Sequence, residues 1–149
     1  IRHNCSLIAH YAFTHRTIFD CARMGDQDAI FARLSKHQMP QLGTSIDALL
    51  DEEGYSLAMR AIEGDQYDTL VTLVDRMNAN VSSNMKNKYG FTCLHLAVYH
   101  EVSSRLFDYI LKACGTSIDP RESDGWTPLM IAASKGNFEF CETRPLCRA

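Results

Sequence analysis

The sequence lacks any apolar run long enough to cross a membrane. Its longest, Leu94–Val98 (interrupted by His95) and Pro128–Ala133, fall far short of the roughly 20 residues a spanning helix needs. Residues 1–17, IRHNCSLIAHYAFTHRT, hold three histidines and two arginines but no uninterrupted apolar centre, so they do not read as a signal peptide. No two of the six cysteines are spaced Cys-x-x-Cys, which excludes a dense disulfide scaffold and points to reduced thiols inside the cell. An excess of positive charge is also missing. Fifteen Lys and Arg against 18 Asp and Glu give a formal net charge of -3, which argues against a general binder of nucleic acid or anionic membrane. There is no Walker-type loop, no Gly-x-Gly-x-x-Gly and no Gly-x-Ser-x-Gly.

What remains is ordinary for a globular chain: 149 residues, 46% hydrophobic and 22% charged. That is enough for one domain or one short solenoid. The chain starts at Ile1 rather than Met, which reads as a processed or partial chain.

Internal repetition decides the reading. Gly54-Tyr-Ser-Leu-Ala-Met-Arg-Ala61, Gly90-Phe-Thr-Cys-Leu-His-Leu-Ala97 and Gly125-Trp-Thr-Pro-Leu-Met-Ile-Ala132 align, with their glycines 36 and 35 residues apart. Such a period is the mark of a solenoid. Glycine permits a turn at positive φ. The Ser or Thr two residues on caps a helix, and Pro128 suits a first helical position. Leu94 and Ala97, like Leu129 and Ala132, share one helical face. A second helix follows each block, carried by Leu70, Val71, Leu73 and Val74, by Leu106, Phe107, Tyr109, Ile110 and Leu111, and by Phe138 and Phe140. Ile18–Gly25 and Asp28–Leu34 supply a degenerate upstream pair, separated from the next unit by the Pro40–Ser45 loop.

These blocks resemble the ankyrin-repeat family, on Gly-x-Thr-Cys-Leu-His-Leu-Ala at 90–97 and Asp-Gly-x-Thr-Pro-Leu-x-x-Ala-Ala at 124–133. The resemblance implies an all-α solenoid of stacked helix pairs with short hairpin loops. It divides the chain into an N-terminal extension (1–16), an array (17–142) and a tail (143–149). The units are 17–50, 51–86, 87–121 and an incomplete 122–142. Within it, Asn87 to His100 resembles a repeat of the inhibitor-of-NF-κB branch, which includes short viral members; the irregular spacer 75–86 fits that branch as well. Two departures stand out. Gly54 to Gly64 spans 10 residues where Gly125 to Gly136 spans 11, so repeat two reads as one residue short, and Glu101 stands where a helix-ending glycine is expected.

Chemistry has little to work with. His3, His10, His15, His37, His95 and His100, even with Cys5, Cys21 and Cys93, show no compact zinc spacing. The resemblance gives His95 a bridging role between backbone groups of adjacent repeats. Cys93 takes the first helical slot, where a thiol is activated if exposed, but the slot is a packing position and no histidine–acid set accompanies it. Cys21 and Cys141 fall in helical patterns and read as core; Cys147 lies in the tail, open to oxidation. The run Asp51-Glu52-Glu53 reads as a solvated turn.

The residues the scaffold does not need carry the function. In an ankyrin array, hairpin tips and the outer side of each first helix form a concave face. The tips offer Glu52, Glu53 and Tyr55, then Lys88, Tyr89 and Phe91, then Ser123, Asp124 and Trp126; the helix side adds Ile62, Glu63, Tyr99, His100, Ser134 and Lys135. Tyr55, Phe91 and Trp126 line up as a column. Exposed, they form a binding strip; folded over neighbouring hairpins, they serve stability instead. The expected function is non-catalytic protein recognition, with no cofactor, metal or small-molecule substrate and no direct contact with nucleic acid or membrane. The narrower form is sequestration of a transcription factor in the cytoplasm or nucleus. The alternative is a recruiting domain of a larger ligase or kinase. At the C-terminal end, Pro145 is expected to stop the second helix and leave Trp126, Ile131 and Phe138 partly uncovered.

Overall fold

The structure is a computed structural model, and it describes residues 16–36, 45–115 and 118–142. Eight α-helices are present among them, in pairs: α1 (Ile18–Met24) with α2 (Gln27–Lys36), α3 (Leu57–Glu63) with α4 (Tyr67–Met77), α5 (Cys93–Tyr99) with α6 (Ser104–Cys114), and α7 (Pro128–Lys135) with α8 (Phe138–Glu142). The first helices stack in series, α1 on α3 on α5 on α7, and each second helix packs on its own partner. A 3-10 turn, Ile46–Ala48, seats Ile46 in the core, and its Asp47 accepts from the Asn80 N–H. This is the expected all-α solenoid.

Each first helix starts on a hydroxyl. The side chains of Thr17, Ser56, Thr92 and Thr127 accept from backbone N–H groups of the first turn, satisfying donors that the helix itself leaves free. Pro128 opens α7 where no N–H is needed. The shared face is closed by small or branched residues, and Ala22, Ala61, Ala97 and Ala132 are all buried. Small side chains here let neighbouring helices approach closely.

Each first helix also ends in one motif. Gly25, Asp65, Glu101 and Gly136 sit at positive φ. Their N–H groups donate to Ala22, Ile62, Val98 and Ala133, and the following N–H groups to Cys21, Ala61, Ala97 and Ala132. This double bond pattern satisfies the last carbonyls of the helix. It corrects the reading of repeat two. Ser56 to Asp65 spans nine residues, as do Thr92 to Glu101 and Thr127 to Gly136, whereas Thr17 to Gly25 spans eight. The short unit is therefore the first, and the turn residue of repeat two is Asp65. Gly64 has ordinary φ of -87; it is glycine because a Cβ there would collide with the backbone carbonyl of Arg23.

Asp65 is tolerated at positive φ for a reason 38 residues away. Its Oδ1 accepts from the backbone N–H and the hydroxyl of Ser103, each at 2.9 Å, so it caps α6 of the next unit. At the other end of the stack Ile131 is buried at 6% exposure while Phe138 is 75% exposed. Ile131 is thus not uncovered as expected, because α7 turns it toward α5. Phe140 fills the α6–α8 contact, its ring 4.3 Å from that of Phe107. Pro145 and Cys147 lie outside the described residues.

Candidate functional site

The hairpins that face the groove are closed by one device. Asp51 Oδ1, Asn87 Oδ1 and Glu122 Oε1 each accept two backbone N–H groups, two and four residues on, at 2.9–3.0 Å. In each case the backbone of the same residue donates across the turn, to Tyr55, Phe91 and Trp126. The sequence carries the signal as an acceptor three residues before each glycine, outside the repeated block that starts at the glycine. Adjacent hairpins are joined by Lys88 N–H to Glu53 carbonyl and Ser123 N–H to Tyr89 carbonyl. Gly90, at φ +81, takes the second joint: a Cβ would sit 2.6 Å from the Ser123 nitrogen.

The acidic run is not merely a solvated turn. Arg60 reaches back from α3 and bonds Asp51 from Nε (2.8 Å), Glu53 from Nη2 (2.8 Å) and Glu63 from Nη1 (2.7 Å). Its guanidinium also lies 3.9 Å from the Tyr55 ring centre. Burial works against the Asp51 charge, yet the Tyr55 N–H, the Arg60 guanidinium and the Glu53 N–H outweigh it and hold the carboxyl below its usual range. Glu52, beside them, is exposed.

The aromatic column is not uniformly exposed. Tyr55 is buried under Arg60 and against the next hairpin. Phe91 is half-buried, its ring set against His95 (5.6 Å) and Tyr99 (6.0 Å). Trp126 alone of the three is open, at 46%. Ile62 is fully buried, so it leaves the candidate surface. The cover over the rings comes mostly from within the unit: Arg60 lies over Tyr55, which also meets Asn87 of the next hairpin, and His95 and Tyr99 of its own helix flank Phe91. Exposed rings come instead from Tyr89 and Tyr99. Lys88 Nζ lies 5.1 Å from the Tyr89 ring centre and Lys135 Nζ 4.6 Å from that of Tyr99. Lys135 is also 3.7 Å from Glu101, and the His100 ring is 5.2 Å from Tyr99. Ser123, Asp124 and Ser134 are exposed, the last with its hydroxyl donating to the Ile131 carbonyl.

His95 bridges two units. Its Nδ1 accepts from the Thr92 N–H at 3.2 Å, which assigns the proton to Nε2; that atom donates to the Trp126 carbonyl at 3.0 Å. Burial pushes its pKa down, so the imidazole is neutral here. Cys93 is fully buried, and burial pushes its thiol far up. It is therefore no nucleophile. Burial likewise raises Cys114, to about 11. Among the described residues, Cys21, Cys93 and Cys114 are unbridged, and no group of three or more His, Cys, Asp or Glu side chains could hold a metal ion. No described helix is long and apolar enough to cross a membrane.

Comparison with known proteins is consistent with this geometry. Residues 103–143 match the family described as ankyrin repeats (many copies). An ankyrin repeat-containing protein kinase A of Dictyostelium discoideum is 32% identical over 89 residues, 58% of this chain and 6% of that protein. The palmitoyltransferase akr1 of Schizosaccharomyces pombe is 47% identical over 53 residues, 36% of this chain and 8% of its own length. An ankyrin repeat protein of fowlpox virus is 27% identical over 115 residues, 74% of this chain and 34% of its own. The chain thus spans between 6% and 34% of the length of these relatives. Among solved structures, a chain from the complex of a predatory endopeptidase of Bdellovibrio bacteriovorus with an immunity protein superposes with a TM-score of 0.65 at 22% identity. That match covers 89% of this chain and 63% of the other.

Proposed function

We propose, from the premise that this chain is an ankyrin-repeat solenoid, that it is a protein-recognition module working through its concave face. Repeat arrays of this kind generally serve protein–protein interaction, and their rigid stacking supplies an extended surface. The observation that carries the reading is the exposure of Tyr89, Tyr99 and Trp126 on a scaffold that buries Tyr55 and half-buries Phe91. Large aromatic side chains held in fixed positions are the groups that dominate binding energy. The narrower reading is an inhibitor that sequesters a transcription factor inside the cell. It is supported by the Asn87–His100 motif and by the likeness to a poxviral ankyrin protein.

Pull-down with the full chain tests the broad reading. The wild type is run beside a triple variant, Tyr89→Ala, Tyr99→Ala and Trp126→Ala, with equal folding checked by circular dichroism. Proteins retained by the first and lost from the second support it; identical sets refute it. Transcription factors among the lost proteins would support the narrower form. A second reading, a recruiting domain of a larger enzyme, is favoured by two relatives that are a kinase and an acyltransferase. A catalytic domain on the same natural polypeptide, whose substrate disappears from the triple variant's catch, would decide for it.

A further inference from the structure

The inference rests on the concave-face reading and gives the partner a chemistry. We infer that the segment seated on this face is a basic–apolar stretch of a protein, with an arginine or lysine over repeats two and three and an apolar side chain on Trp126.

Three observations carry it. The first is the open aromatic surface. Tyr99 is 48% exposed, with its ring held by Phe91 on one side and His100 on the other. It stands two residues before the turn residue Glu101, as Glu63 stands two before Asp65. Ring and carboxylate are therefore register equivalents on the packed helices α3 and α5. His100, next to Tyr99, feels the Glu63 charge.

The second observation is charge. Asp51, Glu53 and Glu63 share one guanidinium, and Glu52 is exposed in the same hairpin. Within this hairpin and helix one positive charge thus answers four negative ones, and the next unit along presents Tyr99, half exposed and with Lys135 over its ring. A cation between them meets carboxylates on one side and, in exchange with Lys135, the Tyr99 ring on the other.

The third is that the molecule already seats cations on this class of ring. Arg60 stacks on Tyr55, Lys88 on Tyr89 and Lys135 on Tyr99. Lys135, in α7, also sets the direction, since it repels a basic residue placed further toward repeat four. Trp126, open, offers apolar area there.

The test pans a random linear peptide library displayed on phage against the immobilised full chain. Selected peptides are then titrated against Glu52→Lys, Tyr99→Ala and Trp126→Ala. Glu52 makes no bond to Arg60, so its reversal leaves that cluster in place, and melting curves check each variant's fold. The expected result is enrichment of peptides pairing Arg or Lys with an aromatic or large aliphatic residue. Their affinity should fall by at least about tenfold in Glu52→Lys and in Tyr99→Ala, and weaken as salt rises. Acidic or uncharged winners, no enrichment, or basic winners indifferent to Glu52→Lys and Tyr99→Ala would overturn the inference. If such winners still lose affinity in Trp126→Ala, the concave-face reading survives. Peptides indifferent to all three changes would sink both.

Discussion

Arg60 shows how one residue can tie a hairpin to a helix. Asp51 closes its hairpin and meets a guanidinium; the equivalent Asn87 closes the next hairpin with a neutral amide, and Leu96 stands in the place of Arg60. The charged pair and the neutral pair are alternative solutions to one packing problem. Arg60→Leu alone should cost about 2–3 kcal/mol, because it strands half-buried carboxylates. Adding Asp51→Asn should recover part of that loss, the share reflecting how far Asp51 rather than Glu53 and Glu63 carries it. Urea unfolding of the two single variants and the double variant measures the coupling. Additive losses would show that the two residues do not act as a pair. His95 invites a second test. Its folded pKa is depressed below 6.5 by burial, so the unfolded chain takes up the proton first as pH falls. Its contribution is present above about 6.5 and lost on acidification toward the lower folded value. The melting temperature should therefore drop between neutral and mildly acid pH, and His95→Gln should flatten that slope. His100 is shifted in the same direction, so the variant should reduce the slope without abolishing it.

At the scale of the element, the turn ending each first helix is the informative unit. Two of the four positions are glycine and two are not. A non-glycine residue in the left-handed region costs roughly 1–2 kcal/mol. Asp65 offsets that by capping α6 through Ser103; Glu101 has only a partly exposed contact with Lys135, worth little. Glu101→Gly should therefore raise stability by about 0.5–1 kcal/mol, whereas Asp65→Gly should leave it unchanged or lower it. Chemical denaturation of the pair checks the contrast, and equal gains would show that the Asp65 cap contributes nothing. The turns also show where the sequence stopped being readable. Caps, helix pairs and period could be read because each rests on residues within a few positions of one another. The Asp65 turn could not, because it is supported by Ser103 of the next unit, while the adjacent Gly64 has the residue type expected at a turn. The exposure of the rings was equally hidden: Gly-Tyr, Gly-Phe and Gly-Trp look alike until Arg60 folds over Tyr55 and His95 and Tyr99 flank Phe91.

Among the described residues, the main helix–helix contacts are between neighbouring units or within one. Stability in such an array falls toward an uncovered end. Repeat four ends in a five-residue helix with Phe138 open, although Ile131 is buried. Residues 126–142 should exchange amide hydrogens through local openings at lower free energy than residues 93–114. Equal protection in native-state exchange would mean that the last unit is as firmly held as the third.

The collision that keeps Gly64 a glycine reaches further than one turn. It makes the units non-interchangeable, although their sequences look like copies. If unit 51–86 were excised, α5 would have to lie on α1 and bring His100 to the Arg23 carbonyl, where even a methyl group does not fit. Duplicating unit 51–86 in place brings Gly64 to no new collision of this kind at α1, because α1 keeps its own neighbour. The array can therefore lengthen after its second unit more readily than it can lose that unit, and the order of its parts is written into the fit of one joint.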